Sequence, residues 1–175
     1  CFLVFSNFVK ADTASCDPGV VNVKNSPYNA TGNGSTDDTN AVSNALTAAS
    51  VNTTGYLFFP TGSYRITSNM TIPENVTLSF EKGASLKPDS GVTITINSLE
   101  IDAGMNKIFD GNGTEAGFNA IKEVFPEWWG AKANDTTDDS AAIEKALTIG
   151  KVISFTSGQY YINSSVNVPQ AQTRK

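Results

Sequence analysis

Short stretches of alternating hydrophobic and polar residues follow one another along most of the chain. They predict a first strand at residues 20–24 and then many further short strands, at 56–59, 64–66, 70–72, 76–80, 84–86, 92–96, 99–101, 107–109, 152–155, 160–162 and 166–168. Gly, Pro, Asn or Asp separates most of these runs, as expected where turns join strands. The pattern therefore predicts a mainly β fold.

Three apolar residues of these strands recur at a nearly constant interval. Leu57, Leu78 and Ile101 are 21 and 23 residues apart, since 78 − 57 = 21 and 101 − 78 = 23. This interval matches one coil of a parallel β-solenoid, in which equivalent side chains of successive coils stack on each other. We therefore expect the three side chains to form one column.

Two other stretches have a helical period, at residues 37–49 and 138–148. Each follows a Thr suited to the N-cap and begins with two Asp residues, whose charge favours the positive end of the helix dipole. The predicted helix-cap residues are Thr36, Asp37, Asp38, Thr137, Asp138 and Asp139. Neighbouring residues of a helix project about 100° apart, so a capping role explains both Asp pairs better than acid–base chemistry on one bond.

Both predicted helices belong to a longer internal repeat. The run N-G-S-T-D-D-T at 33–39 returns as N-D-T-T-D-D-S at 134–140, an offset of 137 − 36 = 101. The strand and turn residues around Phe59 return around Phe155, an offset of 155 − 59 = 96. The repeat predicts a leader at 1–19, a short capped solenoid unit at 20–118 and the truncated start of a second unit at 119–175.

The charge of the chain disfavours two classes of partner. The net charge is −5 and the Lys and Arg residues are scattered, so there is no basic patch for nucleic acid and no basic amphipathic helix for a membrane surface. The chain has no His, which removes the commonest near-neutral base and the commonest metal ligand, and its two Cys residues cannot form a zinc site. We predict no metal site and no cofactor.

The N-terminal residues 1–9, C-F-L-V-F-S-N-F-V, are apolar and precede a V-x-A ending at Ala11. This is typical of the second half of a signal peptide, and it predicts a fragment of a secreted or cell-surface protein. A lipoprotein start at Cys1, a strand donated to a neighbouring subunit and an ordinary core strand are the alternatives.

Eight N-x-[S/T] sequons agree with export. The candidate N-glycosylation sites are Asn29, Asn33, Asn52, Asn69, Asn75, Asn112, Asn134 and Asn163. A chain rich in Asn, Ser and Thr also produces such triplets by chance, so they indicate a solvated surface more strongly than they indicate glycosylation.

The repeated motifs resemble those of the pectate-lyase-like superfamily of right-handed parallel β-helix proteins. The matching runs are T-D-D-T at 36–39 with F-P-T-G-S-Y at 59–64, and T-D-D-S at 137–140 with F-T-S-G-Q-Y at 155–160, where Thr156 replaces the family's Pro. The resemblance covers most of residues 20–170. It implies right-handed parallel β-helix units, each capped by a short α-helix, that face a polysaccharide, and Ca²⁺ by family analogy only.

The resemblance supplies no active site. The N-T-D, D-D and G-H-G set of polygalacturonase-type enzymes is absent, the last necessarily so without His. Trp128 and Trp129 are the candidate carbohydrate-binding residues, because aromatic faces stack on sugar rings. The alternative for this pair is that it covers the end of the second unit. Acids at Asp102, Asp110 and Glu115 are expected to be solvated loop residues.

These observations predict an exported β-helix segment that binds or acts on extracellular polysaccharide, as part of a lyase or hydrolase-like enzyme, without a complete active site. One alternative is a structural appendage in which open solenoid edges stack into a homo-oligomer or filament. Another is a non-catalytic carbohydrate-binding module.

Overall fold

A computed structural model describes residues 19–51, 55–117 and 120–168. The strands are β1 (Val20–Asn22), β2 (Asn33–Asp37), β3 (Gly55–Phe59), β4 (Gly62–Ile66), β5 (Met70–Ile72), β6 (Val76–Phe80), β7 (Ala84–Pro88), β8 (Thr93–Ile96), β9 (Ile101–Ala103), β10 (Thr114–Ala116), β11 (Ile121–Val124), β12 (Asn134–Asp138), β13 (Gly150–Ile153) and β14 (Gln159–Tyr161). Two α-helices, α1 (Thr39–Ser50) and α2 (Ser140–Ile149), and a 3₁₀ helix, Pro126–Trp129, complete it. The prediction of a mainly β chain with short α-helices is confirmed.

The strands pair in parallel and form five small sheets. Their orders are β1-β3-β6-β9, β2-β4-β7, β5-β8-β10, β11-β13 and β12-β14. Leu57 pairs with Leu78, and Leu78 pairs with Ile101, so the predicted column is confirmed. Successive parallel strands of this sheet therefore place equivalent side-chain positions next to each other.

The hydrophobic core fills the space between the sheets and continues from one predicted unit into the other. Stacked or edge-on aromatic rings run along it from Phe59 through Phe80 and Phe109 to Trp129, with centroids 4.8, 6.5 and 5.1 Å apart. Leu86 forms a parallel bridge to Phe109, whose N–H donates to the carbonyl of Trp128. Residues on both sides of the predicted boundary at 118/119 thus pack in one core cluster.

Four strands were not predicted, and two predicted strands are absent from the described residues. The strands β2 and β12 read N-G-S-T-D and N-D-T-T-D, and β10 and β11 flank the predicted boundary at 118/119, and no apolar alternation marks any of the four. Residues 107–109 contribute only an isolated bridge at Phe109, and 166–168 are not in a strand. Backbone pairing between coils, not side-chain pattern, creates the polar strands.

The predictions for residues 1–18, which include the apolar run, both Cys residues and most of the leader, and the predicted sequon at Asn52 lie outside the described residues. Within the described part of the chain, neither helix is long and apolar enough to span a bilayer.

Candidate functional site

The repeated Asp pairs occupy the loops that precede α1 and α2. Asp38 and Asp139 are each only 1% exposed. The Asp38 carboxylate accepts hydrogen bonds from the backbone N–H groups of Thr31 and Gly32, at 2.6 and 3.0 Å. The Asp139 carboxylate repeats this with Lys132 and Ala133, at 2.8 and 3.3 Å. Each buried carboxylate therefore holds the loop that lies seven residues upstream against the start of its helix.

The predicted capping roles need correction at both helix starts. Helix α1 begins at Thr39 with Asp38 at the N-cap position, and α2 begins at Ser140 with Asp139 there, and neither N-cap side chain bonds to its helix. Thr36 and Thr137 lie in the preceding strands, each two residues before the N-cap position, and the first turns contain no acidic residue. The loop N–H groups compete for the carboxylates, because a charge-assisted hydrogen bond at a buried carboxylate contributes more than one at an exposed helix end.

The exposed member of each pair binds the first residue of its helix. Asp37 accepts from the backbone N–H and the hydroxyl of Thr39, and from the Thr67 hydroxyl at 2.8 Å. Asp138 accepts from the N–H and hydroxyl of Ser140 in the same way. The hydrogen bond from the Thr39 hydroxyl is the main cause that lowers the pKa of Asp37, and the Ser140 hydroxyl lowers that of Asp138. Both carboxylates thus stay ionised at neutral pH.

These lowered pKa values predict acid sensitivity. A carboxyl whose folded-state pKa is depressed stabilises the fold above its unfolded pKa, about 3.9 for Asp, and this contribution disappears as the pH falls through the folded pKa. The melting temperature should therefore fall as the pH drops below about 4, and Asp37→Asn should make the decline shallower. Melting curves from pH 7 to 2 measure this, with the exposed Glu74→Gln as the control. Equal pH profiles for both variants would contradict the assignment.

The two loops differ in backbone strain. Gly32 and Gly34 have φ of +64° and +76°, whereas their counterparts Ala133 and Asp135 have φ of +48° and +59°. The left-handed region is costly for Ala, by about 1 kcal/mol or more, because its Cβ approaches the following carbonyl. The second copy keeps the turn of the first without its glycines.

Ala133→Gly is therefore expected to stabilise the chain by about 0.5–1 kcal/mol, since it relieves the strain and restores the residue of the first copy. Urea unfolding gives the value. In the first copy, Gly34→Ala should destabilise by a similar amount through its positive φ alone, because the added Cβ meets Ser63 only at an ordinary 3.4 Å. A loss of stability on Ala133→Gly would show that the turn is not strained.

Trp128 and Trp129 are core residues, 1% and 7% exposed, and the prediction that they stack on carbohydrate is wrong. The Trp128 indole N–H donates to the carbonyl of Gly104 at 3.1 Å, and that of Trp129 donates to the Glu115 carboxylate at 3.2 Å. Their ring faces contact other rings, including Phe125 and Phe109. They join the two units, so neither face is open to a sugar.

An exposed aromatic surface lies instead on the sheet β1-β3-β6-β9. We name as the aromatic face the outward side chains of β3, β6 and β9, which are Tyr56, Phe58, Thr77, Ser79 and Asp102. Tyr56 is 43% exposed and pairs in register with Thr77. Phe58 pairs with Ser79, which pairs with Asp102, and the Ser79 hydroxyl donates to the Asp102 carboxylate at 3.3 Å. The face combines ring surface, hydroxyls and one carboxylate in columns about 4.8 Å apart.

The sequence contained a signal for this face. Leu57 belongs to the predicted inward column, and side chains alternate across a strand, so its neighbours Tyr56 and Phe58 point outward.

Charged residues elsewhere have partners within the chain. Arg65 forms a bidentate pair with Asp89, at 3.0 and 2.7 Å, and this hydrogen bonding lowers the pKa of the Asp89 carboxyl. Asp110 pairs with Lys107. Glu115 is buried rather than solvated and receives Lys145 at 3.0 Å, which ties α2 to β10. Across residues 19–51, 55–117 and 120–168, no three acidic, His or Cys side chains cluster in a way that suits a metal ion such as Ca²⁺.

Seven of the eight sequon asparagines lie in the described residues. Six are exposed, which are Asn29, Asn33, Asn69, Asn112, Asn134 and Asn163. Asn75 is half-buried and its amide donates to the carbonyl of Ser50 at 2.8 Å. None of the seven lies in β1, β3, β6 or β9, so glycans at these positions would be attached outside the aromatic face.

One comparison with known proteins gives a match. The family described as "Rhamnogalacturonase A/epimerase, pectate lyase-like" matches residues 20–114, which is more than half of the chain and includes every residue of the aromatic face. No curated protein and no solved structure matches significantly.

Proposed function

Because the chain belongs to the rhamnogalacturonase A/epimerase, pectate lyase-like family, we propose that it binds extracellular polysaccharide along the aromatic face. The resemblance found in the sequence is confirmed by this match, and the family relates the chain to carbohydrates. The observation that carries the proposal is the exposure of Tyr56 on the same face of one parallel sheet as Phe58, Thr77 and Asp102. Aromatic rings bind the apolar faces of sugars, and hydroxyl and carboxylate groups bind their hydroxyls.

We further propose that the sheets are faces of a right-handed β-helix. The intervals between paired residues support this, since Tyr56 pairs with Thr77, Gly62 with Ala84 and Met70 with Ile94, 21, 22 and 24 residues on. Such a solenoid presents each face as a long straight surface, which suits an extended polymer. Export to the cell surface or medium is part of the proposal and is supported by the apolar residues 1–9 and the sequons.

The described face is suited to binding more than to catalysis. Hydrolysis of a glycosidic bond normally needs two carboxyl groups about 5–10 Å apart. Within β1, β3, β6 and β9, Asp102 is the only acidic residue. The 175-residue chain is therefore expected to bind without cleaving. Incubation with uronate and neutral polysaccharides, followed by assays for unsaturated products and reducing ends, should show no turnover.

Tyr56→Ala is the direct test of binding. Loss of one ring that stacks on a sugar should weaken affinity about tenfold, or roughly 1–1.5 kcal/mol, with little change in stability because the ring is exposed. Affinity electrophoresis against rhamnogalacturonan, homogalacturonan and neutral polysaccharides measures this. Val51→Ala, an exposed apolar residue at the end of α1 and outside the aromatic face, is the matched control.

Two outcomes would refute the proposed site. The parent chain would bind none of the polysaccharides, or Tyr56→Ala would bind as tightly as Val51→Ala. Retained binding by Tyr56→Ala together with loss in Asp110→Asn, whose neighbour Phe109 bridges to Leu86 of β7, would instead place the ligand beside the sheet β2-β4-β7.

A further inference from the structure

A groove of about 280 Å³ lies between α1 and β5, and we name it the helix groove. Its apolar side chains are Leu46 and Met70, each 7% exposed, together with Pro73. An uncharged groove with an apolar floor and polar walls suits a sugar ring, which has an apolar C–H face and a hydroxyl edge, and does not suit an ion. The other lining residues all have a hydroxyl or an amide, and they are Thr39, Ser43, Thr47, Ser50, Asn69 and Thr71.

The second copy of the repeat spans the corresponding position with its own side chains. Glu144 and Asn167 stand where the first copy has Ser43 and Thr71, at the repeat offsets 144 − 43 = 101 and 167 − 71 = 96. The Asn167 amide donates to the Glu144 carboxylate at 2.9 Å and so joins α2 to the segment after β14. Among the described residues, the shorter Ser43 and Thr71 hydroxyls have no hydrogen-bond partner. The first copy therefore leaves open a space that the second copy bridges.

Asn69 begins an N-x-T sequon at this groove. All three residues of the sequon, Asn69, Met70 and Thr71, line it. The Asn69 side chain is exposed, and its oxygen accepts a hydrogen bond from the backbone N–H of Thr93 at 2.8 Å. This bond orients the amide through its oxygen and does not use its nitrogen. The second copy has Ser165 at this position, since 165 − 69 = 96, so the open groove and the sequon occur in the same copy.

We propose that the helix groove holds the first N-acetylglucosamine of a glycan on Asn69, an inference that rests on the proposed export. In N-glycosylation the Asn amide nitrogen attacks the anomeric carbon of a lipid-diphosphate-linked oligosaccharide and loses one of its two hydrogens as a proton. The bond from that carbon to the diphosphate breaks, and the lipid diphosphate leaves with the electron pair. The amide oxygen is unchanged, so the hydrogen bond from Thr93 persists and orients the attached sugar.

The docked sugar does in the first copy what Asn167 does in the second, because it bridges the helix and the strand segment. Its ring covers Leu46 and Met70, and its polar groups reach the hydroxyls of Ser43 and Thr71. The groove is smaller than the pockets of about 300–1,000 Å³ that hold drug-sized ligands, so it accommodates one sugar unit and the rest of the glycan extends into solvent. The first sugar alone should therefore stabilise the chain.

The experiment separates the first sugar from the rest of the glycan. The chain is secreted from a eukaryotic host behind the host's own signal peptide, so that the result does not depend on residues 1–11, and an endoglycosidase trims each glycan to one N-acetylglucosamine. We expect peptide mass spectrometry to find this sugar on Asn69. The trimmed parent should melt about 2–4 °C above trimmed Asn69→Gln. The matched control is Asn112→Gln, which removes an exposed sequon outside the groove and should change the melting temperature by less than about 1 °C.

A second variant tests the groove itself. Ser43→Glu keeps the Asn69 sequon and places in the groove the carboxylate that Glu144 has in the second copy. In this background, Asn69→Gln should lower the melting temperature by less than about 1 °C. The proposal is overturned if Asn69 of the secreted chain has no sugar, if the trimmed parent and Asn69→Gln melt together, or if Ser43→Glu leaves their difference unchanged.

Polysaccharide binding distinguishes this proposal from the proposed function. Asn69→Gln should bind polysaccharide as tightly as the parent, because the residues of the helix groove lie outside the aromatic face. Equal binding by Tyr56→Ala and the parent would refute the aromatic face and leave the glycan site standing. If Ser43→Glu made without glycans lost polysaccharide binding, a free polysaccharide would be the occupant of the groove, and the glycan proposal would be overturned.

Discussion

Asp38→Ala should lower the free energy of unfolding by about 3–5 kcal/mol, which is a large share of the stability of a domain of this size. The change removes the carboxylate, itself 1% exposed, that accepts hydrogen bonds from the backbone N–H groups of Thr31 and Gly32, and it leaves both donors without this partner. Charge-assisted hydrogen bonds of this kind contribute more than neutral ones, and an unsatisfied buried donor retains its full desolvation cost. Urea unfolding followed by circular dichroism gives the difference directly.

The adjacent carboxylate provides the control for this result. Asp37→Ala removes an exposed acceptor whose donors, Thr39 and Thr67, can turn to water, so it should cost about 1 kcal/mol or less. Asp38→Asn keeps one amide oxygen as an acceptor and should fall between the two. Equal losses for Asp37→Ala and Asp38→Ala would show that the buried carboxylate does not hold the loop.

The sequence was sufficient for the repeating part of the fold. Leu57, Leu78 and Ile101 face a common core, and burial imposes the period that made their column visible before the structure. The strands β2 and β12 have no buried face to impose such a period, since their pairing comes from backbone groups and from Asx turns at Asn33 and Asn134. Polar strands of this kind leave no hydrophobic signal in a sequence.

The candidate site was harder to predict, because exposure depends on how coils stack. The duplication of the Asp pairs was visible in the sequence, and their structural role was expected, but their partners lie upstream in the loops and not in the helices. Two adjacent tryptophans indicate a binding surface only where their ring faces are exposed to solvent. Here the 3₁₀ helix packs Trp129 on Phe109, so the ring is covered. Tyr56 is open because its neighbour Leu57 takes the inward position.

Trp128→Ala should cost about 3–5 kcal/mol, the range for removal of a large buried aromatic side chain. The indole fills the core between the two units, contacts Phe125 and donates to the carbonyl of Gly104. A cavity at this position should weaken the junction as a whole, so a single, less stable unfolding transition is expected in calorimetry. Trp128→Phe keeps most of the ring contacts and loses the hydrogen bond to Gly104, so its cost should be only about 1–2 kcal/mol.

The same two variants separate a core role from a binding role at this position. Because the Trp128 ring is buried, Trp128→Phe should leave polysaccharide affinity unchanged, whereas Tyr56→Ala should lower it at unchanged stability. If Trp128→Ala unfolded like the parent but no longer bound polysaccharide, the tryptophan pair would be the binding site. A core contact at Trp128 predicts lost stability at unchanged affinity, and a sugar contact predicts lost affinity at unchanged stability. Measuring stability and affinity for the parent and the three variants decides between them.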